Sequence, residues 1–197
     1  MHNRKILIIG EVYVDQHLDI IENGYSTSRL GGIFHAARSC DALNIEYALA
    51  YYAPDYLVKD VEKFGIDVLR ASSIFRLGKV DKAPNVMLIG QSDESGNQLY
   101  ENILGRQAEY VSMLPFMQVL DDFDPTDIII FPGRYGNAGI LSNLSNYEGK
   151  IHIDMNYDCD DILDLDTIKI QTVFLSTSST SFEEFFKEIS YDNLIKY

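Results

Sequence analysis

The sequence has few of the features that mark secreted, membrane or nucleic-acid-binding proteins. It contains no tryptophan, two cysteines and only 16 basic residues against 30 acidic ones, for a net charge of −14. Cys40 and Cys159 lie far apart, and neither has a second cysteine or a histidine at metal-ligand spacing. We interpret both as free thiols, with a disulfide as the less favoured alternative. The negative charge and the lack of a lysine or arginine cluster disfavour nucleic acids and membrane surfaces as partners.

Long apolar runs are also missing. Stretches such as Ile6–Ile9 and Ile128–Phe131 fall far below the roughly 20 residues that a helix needs to cross a bilayer. The amino-terminal segment is charged and then enters a strand-like run, without the small-residue cleavage site of a signal peptide. We therefore expect a cytoplasmic protein.

The order of the predicted elements indicates a single α/β domain over residues 1–197, with a mostly parallel sheet flanked by helices. Apolar, β-rich runs alternate with helix-like stretches, as in sheets that are covered on both faces. The predicted strands are Lys5–Gly10, Tyr47–Tyr52, Asp127–Phe131, Lys150–Met155 and Gln171–Leu175. The predicted helices are Ile33–Leu43, Leu57–Phe64 with Gly65 at its carboxyl end, Glu109–Leu120, Gly139–Asn146 and Ser181–Ile189.

Two segments do not fit this alternation and predict a small antiparallel lid. The first, near residues 16–29, contains Asn23-Gly24, a strong hairpin signal. The second, near residues 68–103, contains the strand-like runs Val68–Phe75, Val86–Gln91 and Gln98–Ile103. The main sheet ends on a helix with no strand after it, so we expect that the carboxyl-terminal part of the fold is missing.

Candidate binding residues are those that follow the strands, because ligands of open α/β sheets sit beyond the carboxyl ends of the strands. Asp15, Arg134, Asp154 and Asn156 occupy such positions. The Asp15 carboxylate could accept hydrogen bonds from the hydroxyls of a polyol, although a turn residue that caps backbone groups is the alternative. Arg134, in a glycine-rich loop, could meet an anionic or polyhydroxy ligand, although an ordinary strand-to-helix connection is equally consistent with it.

Several familiar sites are not supported by the sequence. Gly31-Gly32 before a helix allows a ligand to approach the backbone closely, but neither standard glycine-rich nucleotide motif is present. The acidic run from Asp158 to Asp166 lacks the glycine and the final glutamate of a calcium-binding loop. His152 alternates with isoleucines, which favours a buried, hydrogen-bonded histidine over a metal ligand.

Taken in order, these features resemble the ribokinase-like (PfkB) family of carbohydrate and nucleoside kinases. The first strand ends in Gly10-Glu11-Val12-Tyr13-Val14-Asp15, similar to the family's G-(E/D)-x-x-x-D, and Gly31-Gly32 opens the first helix. Asp154-Met155-Asn156 also resembles a family segment. The resemblance implies a ribokinase-like fold with a β lid, ATP and Mg²⁺ as cofactors of the intact family, and Asp15 as a ligand of sugar hydroxyls.

The implied substrate-binding set is Asp15, Gly31, Gly32, His35, Arg134, Asp154 and Asn156, with a sugar or nucleoside as the small-molecule partner. The chain departs from the family at Ala36, where an asparagine is usual, and at Ser176 and Ser179, where the Asn-x-x-Glu motif would fall. The catalytic Gly-x-Gly-Asp motif would lie beyond Tyr197, so we expect no catalytic residue in this chain.

Two functional hypotheses follow. The chain is either the substrate-binding and lid portion of a sugar-kinase-like protein, inactive as it stands, or a non-catalytic ligand-binding or assembly module derived from one. Apolar residues alternate along the lid strands, at Val86 and Leu88 and again at Leu99 and Ile103. Because a small sheet must cover its apolar face, we also expect a homodimer, through the lid by preference and through the open edge of the main sheet as the alternative.

Overall fold

A computed structural model describes residues 4–17, 27–92, 98–103, 108–131, 140, 143–155 and 169–175. Its larger sheet has seven strands in the order β11-β10-β9-β1-β4-β5-β8. Neighbouring strands in it are parallel except for β8, which runs antiparallel to β5. The strands are β1 (Lys5–Glu11), β4 (Glu46–Ala53), β5 (Ser73–Asp81), β8 (Glu109–Ser112), β9 (Asp127–Ile130), β10 (Lys150–Met155) and β11 (Ile170–Leu175).

Both faces of the sheet are covered, as a parallel sheet requires. Helices α1 (Phe34–Ala42) and α2 (Val58–Lys63) pack on one face, and α3 (Phe116–Phe123) packs on the other. Side chains of β1 alternate between the two cores, since Ile6 and Ile8 join the first and Leu7 and Ile9 join the second. This alternation buries β1 at the centre of the fold and leaves its carboxyl end, at Glu11, to open into the lid.

The lid is a separate sheet of four strands in the order β3-β2-β6-β7. Its strands are β2 (Val14–His17), β3 (Thr27–Leu30), β6 (Val86–Ser92) and β7 (Gln98–Ile103). The outer pairs are antiparallel, whereas β2 and β6 at the centre are parallel. The predicted lid is therefore present, but its two halves meet through a parallel pair and the sheet is mixed.

The start of the second predicted lid segment is wrong, and so is the start of the helix predicted over Glu109–Leu120. Val68–Phe75 was assigned to the small sheet, but β5 lies in the main sheet and pairs in parallel with β4. Residues 109–112, predicted to begin a helix, form β8 on the edge of the main sheet, and the helix starts only at Phe116. Pro115 precedes that helix in an extended conformation, which explains the later start.

The end of the second helix also differs from the prediction. Gly65 does not end it, because the chain continues through a π-helical turn over Phe64–Val68, and Arg70 then takes the left-handed conformation. The packing around Gly65 leaves little room for a side chain at this position. A Cβ there would lie 2.5 Å from Cδ1 of Ile74 on β5.

The remaining predicted elements fall partly outside the described residues. Helix Ser181–Ile189 lies outside them, as do residues 139, 141 and 142 of Gly139–Asn146. Within the described residues, no helix is both long and apolar enough to cross a bilayer.

Candidate functional site

Asp15 lies at the centre of the lid strand that follows β1. In the ladder between β2 and β3 its backbone partner is Arg29, and on the other side its partner is Met87 of β6. The carboxylate is buried, with only 5% of the side chain exposed. The order of β1, β2 and β3 therefore brings an acidic group to the junction between the lid and the first turn of α1.

Two basic side chains cover this carboxylate. His35 Nε2 lies 3.0 Å from Asp15 Oδ2, and Arg29 Nε lies 3.6 Å from the same oxygen. Each of these side chains is 50% exposed. Despite these contacts, Oδ2 accepts no hydrogen bond of normal geometry from the part of the chain that the structure describes.

Gly31 and Gly32 are required by close approaches around Asp15. A Cβ on Gly31 would lie 2.1 Å from Asp15 Oδ1, so only glycine leaves room for the carboxylate. Gly32 has a φ of +61°, and a Cβ there would lie 2.1 Å from the carbonyl oxygen of Glu11. The glycine pair predicted from the sequence thus contributes to the site by leaving room for the Asp15 carboxylate and for the carbonyl oxygen of Glu11.

Arg38 lies one turn beyond His35 on α1 and extends the basic cluster. Its Nη2 donates to the carbonyl oxygen of Leu30 at 2.7 Å, and its guanidinium stacks 5.5 Å from the ring centroid of Phe64. Burial lowers its pKa, Arg29 lowers it further, and Asp15 acts in the opposite direction. The hydrogen bond to Leu30 places Arg38 beside β3, next to the residue that follows Arg29.

Sequence reasoning missed a second buried carboxylate, that of Glu11. Tyr13 donates its hydroxyl to Oε2 at 2.7 Å, Tyr110 donates to Oε1 at 2.9 Å, and Asn85 Nδ2 donates to Oε2 at 3.3 Å. Asn85 is itself buried and also donates to the carbonyl oxygen of Val12. Glu11 therefore joins the end of β1 to β8 and to the residue before β6. The only sequence signal for it was an acidic residue directly after a buried strand.

Of the other predicted site residues, the structure describes only Asp154. It lies near the carboxyl end of β10, two strands away from β1, with its side chain exposed. Although solvent reaches the carboxyl, partial desolvation raises its pKa. Arg134 and Asn156 lie outside the described residues, so their predicted roles remain predictions.

Asp55 lies just after β4, which ends at Ala53. Its carboxylate contacts Arg76 Nη2 at 2.5 Å and Lys79 Nζ at 2.9 Å, and hydrogen bonds from these two groups lower its pKa. This exposed carboxylate is thus already paired at the surface.

Three further features of the structure do not belong to the site. His152 is partly buried and lies 3.3 Å from Asp127 Oδ1, in agreement with the predicted structural role. A cleft of about 630 Å³ opens there between α3 and the segment before β10. Cys40 is a buried free thiol, and burial raises its pKa.

ATP and Mg²⁺ are implied by the resemblance for the intact family only. Among the described residues, no group of three or more histidine, cysteine or acidic side chains is arranged to hold a metal ion. The 197-residue sequence also contains no Gly-x-Gly-Asp. We therefore derive no chemical step through either group.

Comparison of the sequence with known proteins finds no matching family model and no similar curated protein. Comparison of the fold is informative. A PfkB family carbohydrate kinase from Listeria grayi superposes with a TM-score of 0.59 over 98% of this chain and 67% of its own, at 12% identity. The chain has a ribokinase-like fold.

Two further ribokinase-like structures agree with this assignment. A ribokinase from Giardia lamblia matches with a TM-score of 0.56 at 16% identity, over 80% of this chain and 53% of its own. A fructokinase from Xylella fastidiosa matches with a TM-score of 0.56 at 11% identity, over 78% of this chain and 52% of its own. The chain therefore spans about half of the length of these two ribokinase-like kinases.

Proposed function

We propose that this chain is the substrate-binding and lid portion of a sugar-kinase-like protein, and that it binds hydroxyl groups of a sugar or nucleoside at Asp15. The observation that carries the proposal is the buried Oδ2 atom of Asp15, which accepts no hydrogen bond from the described residues. The contacts of His35 and Arg29 do not give this oxygen a hydrogen bond of normal geometry, and a ligand hydroxyl would supply one. Sugar kinases among the fold neighbours support the same ligand class.

The position of Asp15 suits a ligand that is enclosed between lid and domain. β2 belongs to the lid, whereas His35 belongs to a helix packed on the main sheet. A ligand held by both groups would touch both parts of the molecule. Asp154, near the carboxyl end of β10, is proposed to contact the same ligand. The binding roles predicted for Arg134 and Asn156 are proposed with it.

The test is calorimetric titration of the chain with a panel of neutral sugars and nucleosides. We expect at least one member to bind, and Asp15→Ala to remove that binding while the protein stays folded by circular dichroism. Asp55→Ala is the control variant. It also removes a carboxylate that pairs with an arginine, but this carboxylate is exposed and lies outside the site. Equal binding by wild type and Asp15→Ala would contradict the proposal.

A second candidate is a ligand-binding or assembly module that performs no catalysis. Ala36, where the family's asparagine is expected, packs as a partly buried apolar residue against the core beneath α1 and offers no polar group. In an intact sugar kinase ATP would be the phosphoryl donor. We expect no ATP-dependent phosphorylation by this chain, and sugar-dependent release of ADP that is lost with Asp15→Ala would rule the second candidate out.

We also propose a cytoplasmic homodimer that forms through the lid. Val86 and Leu88 on β6 are only partly buried, so part of their apolar surface is left for a partner. Light scattering should give a dimer for the wild type and a monomer for Leu88→Asp combined with Leu99→Asp. Val68→Asp, which changes an exposed apolar residue outside the lid, should leave the dimer intact. A monomeric wild type at micromolar concentration would contradict the proposal.

A further inference from the structure

The charges around Asp15 do not balance. Arg29 and His35 both contact the single carboxylate of Asp15, and Arg38 donates to the carbonyl oxygen of Leu30, the residue after Arg29. The chain as a whole carries a net charge of −14. A local excess of positive groups in so acidic a protein favours an anion at this place over the rest of the surface.

The exposure of these side chains indicates which of them an entering ligand contacts first. The Asp15 side chain is 5% exposed, whereas those of Arg29 and His35 are each 50% exposed. A ligand that enters therefore meets the basic side chains first and the carboxylate beneath them. A neutral sugar would satisfy Asp15 but would leave the outer basic groups facing uncharged atoms.

Unused hydrogen-bonding capacity points in the same direction. Arg38 Nη1 is buried and makes no hydrogen bond with the described residues, although Nη2 of the same group donates to Leu30. Asp15 Oδ2 lacks a donor in the same region. The cluster thus combines an acceptor that needs a hydroxyl with guanidinium donors that suit carboxylate or phosphate oxygens.

We infer that the ligand of the Asp15 site is an anionic polyol, in which hydroxyls bind Asp15 and a carboxylate or phosphate group binds Arg29 and His35. The inference rests on the proposed function and narrows it from sugars and nucleosides in general to their acids or phosphate esters. Arg29 is the residue that distinguishes the charged ligand from its neutral counterpart.

Matched pairs of ligands test the inference. Calorimetry with glucose and glucuronate, fructose and fructose 6-phosphate, and inosine and its monophosphate compares a neutral and an anionic member built on the same sugar. We expect the anionic member of at least one pair to bind about tenfold more tightly, the effect of one charge-assisted contact. The carboxylate and phosphate pairs then identify which anionic group the site accepts.

Variants test whether Arg29 causes the preference for the anionic ligand. Arg29→Gln should reduce the preference for the anionic member to less than about threefold, because one charge-assisted contact is lost. Arg70→Gln removes the same charge at the other end of α1, where Arg70 pairs with Asp41, and should leave the preference unchanged.

The outcomes separate this inference from the proposed function. Neutral ligands that bind as tightly as their anionic partners, in a manner that needs Asp15, would overturn the inference and leave the proposed function standing. A preference that Arg29→Gln does not change would also overturn it. If inorganic phosphate displaces the bound ligand completely and the Asp15→Ala variant still binds that ligand, the site binds an anion with no contact between Asp15 and hydroxyl groups. The inference and the proposed function would then both be contradicted. Binding of no member of the panel would contradict both as well.

Discussion

Removal of the Glu11 carboxylate should destabilise the fold more than any exposed substitution. Glu11→Ala leaves the hydroxyls of Tyr13 and Tyr110 and the amide of Asn85 without their shared acceptor. Hydrogen bonds to a charged group contribute about 1.5–3 kcal/mol each, and part of this gain is offset because a carboxylate no longer has to be buried. We expect a net loss of about 3–5 kcal/mol from the free energy of unfolding.

Glu11→Gln separates the charge from the shape of the side chain. The amide oxygen can still accept a hydrogen bond from one of the two tyrosines. The amide nitrogen is itself a donor, so the hydroxyl of the other tyrosine must rotate away from it. We expect a smaller loss of about 1–2 kcal/mol. Tyr110→Phe should cost about 1–3 kcal/mol in the wild type and much less in the Glu11→Ala background, because the acceptor is already gone.

Urea denaturation followed by circular dichroism measures these free energies. The midpoints should fall in the order wild type, Glu11→Gln, Glu11→Ala, with little change in the slope. If Glu11→Ala loses less than about 0.5 kcal/mol, the typical effect of a surface substitution, the network does not hold the lid to the sheet. Additive losses for Glu11→Ala and Tyr110→Phe would contradict the hydrogen bond between them.

Three further predictions concern close packing and a buried thiol. Gly31→Ala should cost about 1–3 kcal/mol by overpacking against Asp15, and thermal denaturation should show less than half of that cost in an Asp15→Ala background. Gly65→Ala should cost about 1 kcal/mol, and Ile74→Val should recover most of it by removing the atom that the new Cβ meets. Cys40, whose pKa is raised by burial, should react with iodoacetamide only after denaturation in a Cys159→Ser protein; rapid labelling of the native protein would contradict its burial.

The strands of the main sheet could be predicted from the sequence because their signals are local. Lys5–Gly10 and Lys150–Met155 are apolar runs bounded by polar or glycine residues, and the structure gives nearly the same limits. Asp15 and Gly31 were singled out separately, as a residue after a strand and as a glycine before a helix. The structure brings them into contact.

The errors arose where distant contacts override local pattern. Gly65 resembles a helix end, but the feature that favours a glycine there is the close approach of the Ile74 side chain on β5. Residues 109–112 fit a helix locally, yet they complete the edge of the main sheet beside β5. The Glu11 network could not be predicted, because two of its donors come from positions 74 and 99 residues away along the chain.

The most direct test of the account is a crystal structure of the chain with the tightest ligand of the calorimetric panel. We predict a ligand hydroxyl within hydrogen-bond distance of Asp15 Oδ2 and an anionic group of the same ligand against Arg29 and His35. A ligand bound at another place, with the Asp15 carboxylate unchanged beneath His35, would contradict the central claim.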